Sequence, residues 1–107
     1  MAHYVMLSTL SESGRKVIHA RPGWIRKVNQ ELSRRGAKVL AQYALLGPYD
    51  FVTILEAADN ETVTSISIEM GARGSVQMMT MPAIPLDTFI NRLERSRPTP
   101  RGKGKRR

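Results

Sequence analysis

The sequence predicts an α+β fold: one four-stranded antiparallel sheet with two helices on one face, followed by a C-terminal helix. Three observations predict it. Apolar residues recur at period two in four short segments and at helical spacing in segments between and after them. The tetrapeptide Gly47-Pro48-Tyr49-Asp50 separates two strand-like runs by a link short enough for an antiparallel hairpin. The first strand is apolar on both faces, which implies that both faces of the sheet are covered.

Residues 3–10, "HYVMLSTL", read as the first strand, with Tyr4, Met6, Ser8 and Leu10 on one face and Val5, Leu7 and Thr9 on the other. "SESGR" is a polar connection, and a short helical turn is expected at 14–20. The main first helix is expected to open at Pro22, because proline suits the first helical position. Trp24, Ile25, Val28 and Leu32 make its apolar stripe, and Gly36 its C-terminal cap. Its exposed face carries Arg26, Lys27, Asn29, Gln30 and Arg34. Residues 37–46 and 50–57 read as the second and third strands, joined by GPYD, with Pro48 setting φ for the first central turn position. Asp59 or Asn60 caps a helix over 60–70 that turns Val63, Ile66 and Met70 inward and ends at Gly71. Its "TVTSISI" is β-branched, so a strand is the competing reading. "SVQMMTM", 75–81, is the fourth strand. Pro85 opens a last helix with Leu86, Phe89, Ile90 and Leu93 in one stripe, and Pro98 and Pro100 stop it.

The first six elements match the ferredoxin-like βαββαβ order. Helices cover one face of such a sheet, and an apolar second face asks for a partner. Pairing of two copies, sheet against sheet, is the simplest answer.

Composition narrows the function classes. The chain has no cysteine, which removes disulfides, thiolate metal sites and cysteine nucleophiles. The start "MAHYVMLSTL" reads as a strand and not a signal peptide, and no apolar run reaches the roughly 18 residues of a membrane span. A cytoplasmic protein is expected. The net charge of +8 is uneven: residues 96–107, "SRPTPRGKGKRR", hold six of the 17 cations and none of the nine acids. Two parts are expected, a folded domain over 1–95 and a basic, disordered tail over 96–107.

Several stretches together resemble one known family. They are the opening "HYVMLSTLSESG", a helix ending in "RRGAKV", the "YALLGPYDFVTILEA" hairpin, the "DNETV" helix start and the "GSVQMMTMPAI" strand. Over residues 2–95 the chain is similar to the GYD domain family, named for a Gly-Tyr-Asp signature that Gly47, Tyr49 and Asp50 match, with Pro48 at the variable position. The resemblance implies a ferredoxin-like fold and a dimeric α+β barrel in which two sheets enclose a common core. It implies no activity. Related barrels include cofactor-free monooxygenases, haem-degrading enzymes and small-molecule-binding regulatory modules, and fold alone does not choose among them.

The candidate ligand-binding residues are Tyr49, Asp50, Gln42 and Thr53. Two readings of Tyr49-Asp50 are open. In one, Gly47 and Pro48 make the turn, Asp50 caps backbone amides, and Tyr49 packs at the surface or the dimer seam. In the other, the pair stands at a pocket mouth with Asp50 accepting a ligand hydrogen bond. Ser8, Thr9, Gln42, Thr53, Gln77 and Thr80 are strand polar residues that either satisfy one another or line a cavity between paired sheets. His3 and His19 lie on different elements without ligand spacing, so no metal and no cofactor are expected. Arg97, Arg101, Lys103, Lys105, Arg106 and Arg107 are candidates for phosphate contacts with nucleic acid, or for an acidic protein partner. No aromatic is interleaved among them for base stacking. The leading expectation is a dimeric or higher homo-oligomeric ligand-binding or assembly module with a basic tail. The competing one is a cofactor-independent oxygenase with its substrate in the barrel cavity.

Overall fold

The structure, a computed structural model, describes residues 1–97. The order is β1 (Ala2–Leu10), α1 (Glu12–Ala20), α2 (Trp24–Arg34), β2 (Lys38–Ala44), β3 (Phe51–Ala57), α3 (Asn60–Ala72), β4 (Val76–Ala83) and α4 (Leu86–Ser96). The sheet is antiparallel in the order β2-β3-β1-β4, the ferredoxin-like arrangement.

The alternation read in β1 is realised. Tyr4, Met6, Ser8 and Leu10 are buried beneath the helices, while Val5, Leu7 and Thr9 are half-buried on the opposite face. Tyr4, Met6 and Leu55 from the sheet, Leu32 from α2, and Val63, Ile66 and Met70 from α3 form one core cluster. The β-branched run of α3 is helical because Val63, Ile66 and Met70 place one apolar stripe on the sheet. Asp59 caps it, its Oδ1 accepting from the Thr62 amide at 2.8 Å. Here tertiary burial outweighs the weak helix propensity of valine, threonine and isoleucine.

Several boundaries differ from expectation. The turn expected at 14–20 is a full helix, α1, capped by Ser11, whose Oγ accepts from the Gly14 amide at 3.1 Å. The Ser11 amide donates in turn to the Ser75 carbonyl at 3.0 Å, so the start of α1 is tied to the start of β4. Gly14 permits this approach: a Cβ there would overlap the Ser75 carbonyl oxygen. Pro22 does not open a helix. It lies in the turn between α1 and α2, and α2 begins at Trp24. Gly71 lies inside α3, and the chain reverses at Gly74 with φ +80°. The last helix ends at Ser96, before Pro98 and Pro100, which lie outside the described residues.

Gly36 does end α2, as expected. Its φ is +96°, its amide donates to the Ser33 carbonyl, and the Ala37 amide donates to the Leu32 carbonyl at 2.9 Å. These two bonds are a Schellman motif, and its apolar pair, Leu32 and Ala37, is buried.

The two sheet edges differ from ordinary strand edges. β2 carries a register shift between Val39 and Ala41, and β4 contains Pro82, which has no N–H to offer a further strand. No helix among the described residues is long and apolar enough to cross a membrane.

Candidate functional site

The strand register sorts every sheet residue onto one of two faces. On the helix-covered face, neighbouring strands place Val39, Leu55, Tyr4 and Pro82 in one row and Gln42, Thr53, Met6 and Thr80 in the next. On the open face, Lys38, Glu56 and His3 form an end row. Ala41, Ile54, Val5 and Met81 follow, then Tyr43, Val52, Leu7 and Met79, and Thr9 pairs with Gln77 at the far end. The open face is thus an apolar centre between two polar ends. That is the usual anatomy of a protein interface, with an apolar middle and a polar rim.

Side chains of the open face that would be core in a covered sheet meet solvent. Tyr43 is 61% exposed, Met79 50% and Met81 38%. Leu40, Leu45 and Leu46, on β2 and in the hairpin, are exposed as well. α4 carries the expected stripe, but Leu86, Phe89, Ile90 and Leu93 are all exposed, and none of its residues is buried. The stripe was legible in the sequence. That no other described residue buries it was not, because periodicity reports a face and not its partner.

Gln42 and Thr53 come together, but on the helix side of the sheet and not on the face that two copies would share. Gln42 Nε2 donates to Thr53 Oγ1 at 2.9 Å, and Asn29 Nδ2 of α2 donates to Gln42 Oε1 at 2.7 Å. Helical periodicity places Asn29 on the exposed side of α2 and gives no sign of this contact. The bulge in β2 keeps Gln42 aimed at α2. These amides border a cavity of about 50 Å³, walled by Trp24, Ile25, Val28, Phe51 and Met78 among others, with no ionisable side chain. Pockets that take a drug-sized ligand run from about 300 Å³. Of the other strand polar residues, Ser8 and Thr80 also face the helices, with Thr80 paired to Ser67 of α3 at 2.9 Å. Thr9 and Gln77 face the open side.

Tyr49 and Asp50 part company. Asp50 Oδ2 accepts from the Leu10 amide at 2.8 Å, and the Asp50 amide donates to the Ser8 carbonyl at 2.8 Å. The aspartate therefore stitches the hairpin to the end of β1, with its carboxylate turned to the backbone. The hairpin closes through the Leu45 amide on the Asp50 carbonyl at 2.8 Å, with Gly47 at φ +135°. Tyr49 leans toward the open face, its hydroxyl 4.0 Å from Met79 Sδ, beside Leu7, Thr9 and Gln77.

Charge is segregated on the folded part in a way that the total conceals. Residues 11–36 hold Arg15, Lys16, Arg21, Arg26, Lys27, Arg34 and Arg35 against Glu12 and Glu31. All of these cations except Arg35 are exposed, so the α1–α2 layer is strongly basic. Two crossed ion pairs bind α2 to α3. Arg73 donates to Glu31, at 2.9 Å for Nη1 to Oε1, and Arg35 donates to Glu69. The Arg73 hydrogen bond holds the Glu31 carboxyl below the usual glutamate range, and the Arg35 and Ser65 bonds do the same for Glu69. His3 and His19 sit on β1 and α1, and no group of three or more potential metal ligands occurs among the described residues. Arg97 follows α4 and is exposed. Arg101, Lys103, Lys105, Arg106 and Arg107 lie outside the described residues.

Comparisons with known proteins agree with this architecture. The family model described as GYD domain matches residues 4–93. A Thermus thermophilus protein named glutamine synthetase and cystathionine beta-lyase binding protein is 46% identical over 95 residues, which are 88% of this chain and 100% of that protein. Among solved structures, MtbAldR superposes with a TM-score of 0.56 at 27% identity, over 78% of this chain. This chain spans about half of MtbAldR, 53% of its length. The hypothetical protein PHS023 from Pyrococcus horikoshii superposes with a TM-score of 0.51 at 21% identity, over 79% of this chain and 92% of the other, a likeness of fold alone.

Proposed function

Because the chain belongs to the GYD domain family, we propose that it is an assembly module, two copies pairing through the open face of the sheet and the pair docking onto a partner enzyme. The observation that carries this reading is the open face itself, two apolar rows between polar ends with Tyr43, Met79 and Met81 exposed. An apolar surface of this kind is a binding surface before it is anything else.

The name of the Thermus thermophilus relative supports an enzyme as the partner. The basic α1–α2 layer, with Arg97, Arg101, Lys103, Lys105, Arg106 and Arg107 of the tail, suits an acidic surface on that enzyme. Arginine- and lysine-rich faces steer such encounters at long range and lose strength with salt. The tail cations serve nucleic acid in the same chemical way. Tyr49 belongs to the copy-to-copy seam, and Asp50, Gln42 and Thr53 hold the scaffold that presents it. A cytoplasmic location suits this role.

Two measurements test the reading. Light scattering on the full chain is expected to give twice the chain mass, and Met79→Glu, which sets a charge in the centre of each paired face, to give a single copy. A wild-type monomer at micromolar concentration sinks the pairing. Full chain immobilised on a sensor is expected to bind purified glutamine synthetase or cystathionine beta-lyase of the same organism saturably and in a salt-dependent way. Absence of binding to both enzymes at low salt removes the enzyme-docking half.

A further inference from the structure

We propose that α4 is an exchanged arm: its apolar stripe packs on the second copy of this chain and not on its own subunit. The inference rests on the pairing reading above and adds an element to it. Leu86, Phe89, Ile90 and Leu93 fall at helical spacing on one side of α4, and all four are at least 41% exposed. The other side is polar, with Asp87, Asn91, Arg92 and Glu94. A helix of this pattern is stable by what it buries, because 11 residues fall below the length at which an isolated helix holds in water.

α4 buries none of its residues on its own sheet, and its link to β4 is short. Only Ile84 and Pro85 separate Ala83 from Leu86, and Pro85 is extended, with φ −53° and ψ 138°. A residue before proline is kept out of the helical region, so Ile84 is held extended too.

Area points the same way. Four strands spaced about 4.8 Å apart and about seven residues long, at about 3.3 Å each, present a flat footprint of roughly 450 Å². A standard interface uses about 800 Å² per partner. One face of α4, about 16 Å long and about 10 Å wide, adds roughly 160 Å² from each copy. A two-fold pair makes the contact twice, once in each direction, so a single apolar stripe closes both ends of the interface.

The test uses the full chain. Phe89→Glu with Leu93→Glu alters two exposed positions, so the body is expected to stay folded, with the wild-type circular-dichroism spectrum at room temperature. Sedimentation is expected to show the dimer dissociation constant raised at least tenfold. Hydrogen exchange on the wild type gives a second reading free of substitutions: α4 amides are expected to be protected at high protein concentration and to lose protection on dilution. An intact dimer with unchanged dissociation constant, or α4 amides that exchange freely in the dimer, overturns the arm and leaves the sheet pairing standing. A wild-type chain that is monomeric throughout overturns the pairing itself, and the arm with it.

Discussion

At the residue scale, Asp50 is the most consequential side chain of the hairpin. Its carboxylate accepts the Leu10 amide, a part-buried donor with the end of a strand depending on it. Removing the acceptor leaves that amide unpaired, which costs about 1–3 kcal/mol. Asp50→Ala is therefore expected to lower stability by that amount in a urea melt, and Asp50→Asn, which keeps an amide oxygen in place, to recover most of it. Equal loss in both variants would mean that charge, and not the hydrogen bond, matters. Of the two readings that the sequence left open for Tyr49-Asp50, the geometry matches the backbone-capping one for Asp50. Turn chemistry makes an aspartate after Gly-Pro-Tyr a cap for nearby amides, but does not say that the amide belongs to β1, 40 residues back. Turn chemistry is local, and the strand that it serves is not. Gln42 shows the same limit. Its place in a strand was legible, whereas the bulge that keeps it facing Asn29 follows from how β2 meets β3.

At the element scale, the helices are pinned by different means. α3 is held by three buried apolar residues, α1 by its capping serine against β4, and α2 by the Schellman turn, Leu32 and the crossed ion pairs. Those pairs make stability depend on acid. Glu31 and Glu69 have carboxyl groups depressed below their ordinary range by Arg73 and Arg35. A depressed carboxyl contributes stability that is present above the unfolded value and lost as pH falls through the folded one. Thermal melts are thus expected to show the wild type above Glu31→Gln at pH 7, with the gap closing below about pH 4. A gap that stays constant to about pH 3 contradicts the assignment. Surface pairs of this kind contribute modestly, so the gap is expected to be small. The element order was readable because four strand segments, two clear helix stripes and a capped third one over 60–70 agree with one another. The extent of α1 was not, since "SESGRKVIHA" buries only Gly14 and so carries almost no apolar signal. Pro22 misled because proline serves a turn as well as it serves a first helical position.

At the scale of the whole molecule, the proposed pairing through the uncovered sheet face would tie the protein's stability to its own concentration. Partner binding to the folded state adds free energy by mass action. The apparent melting temperature is therefore expected to rise across a roughly 100-fold concentration series and to stay flat for Met79→Glu. A flat wild-type series contradicts pairing. The apolar second face of the sheet was legible from apolar residues on both faces of β1. The basic α1–α2 layer was concealed, because acids on β3, α3 and α4 cancel it in any total taken over the folded part.

The blunted sheet edges decide how such a molecule behaves when crowded. A sheet with open borders recruits further strands and grows without limit into fibres. Here Pro82 withholds a donor on one border and the β2 bulge breaks the spacing on the other. On the sheet, apolar surface then lies on the open face and not at the borders. Self-association through that face, as proposed, would stop at a closed pair, because neither border invites a third copy.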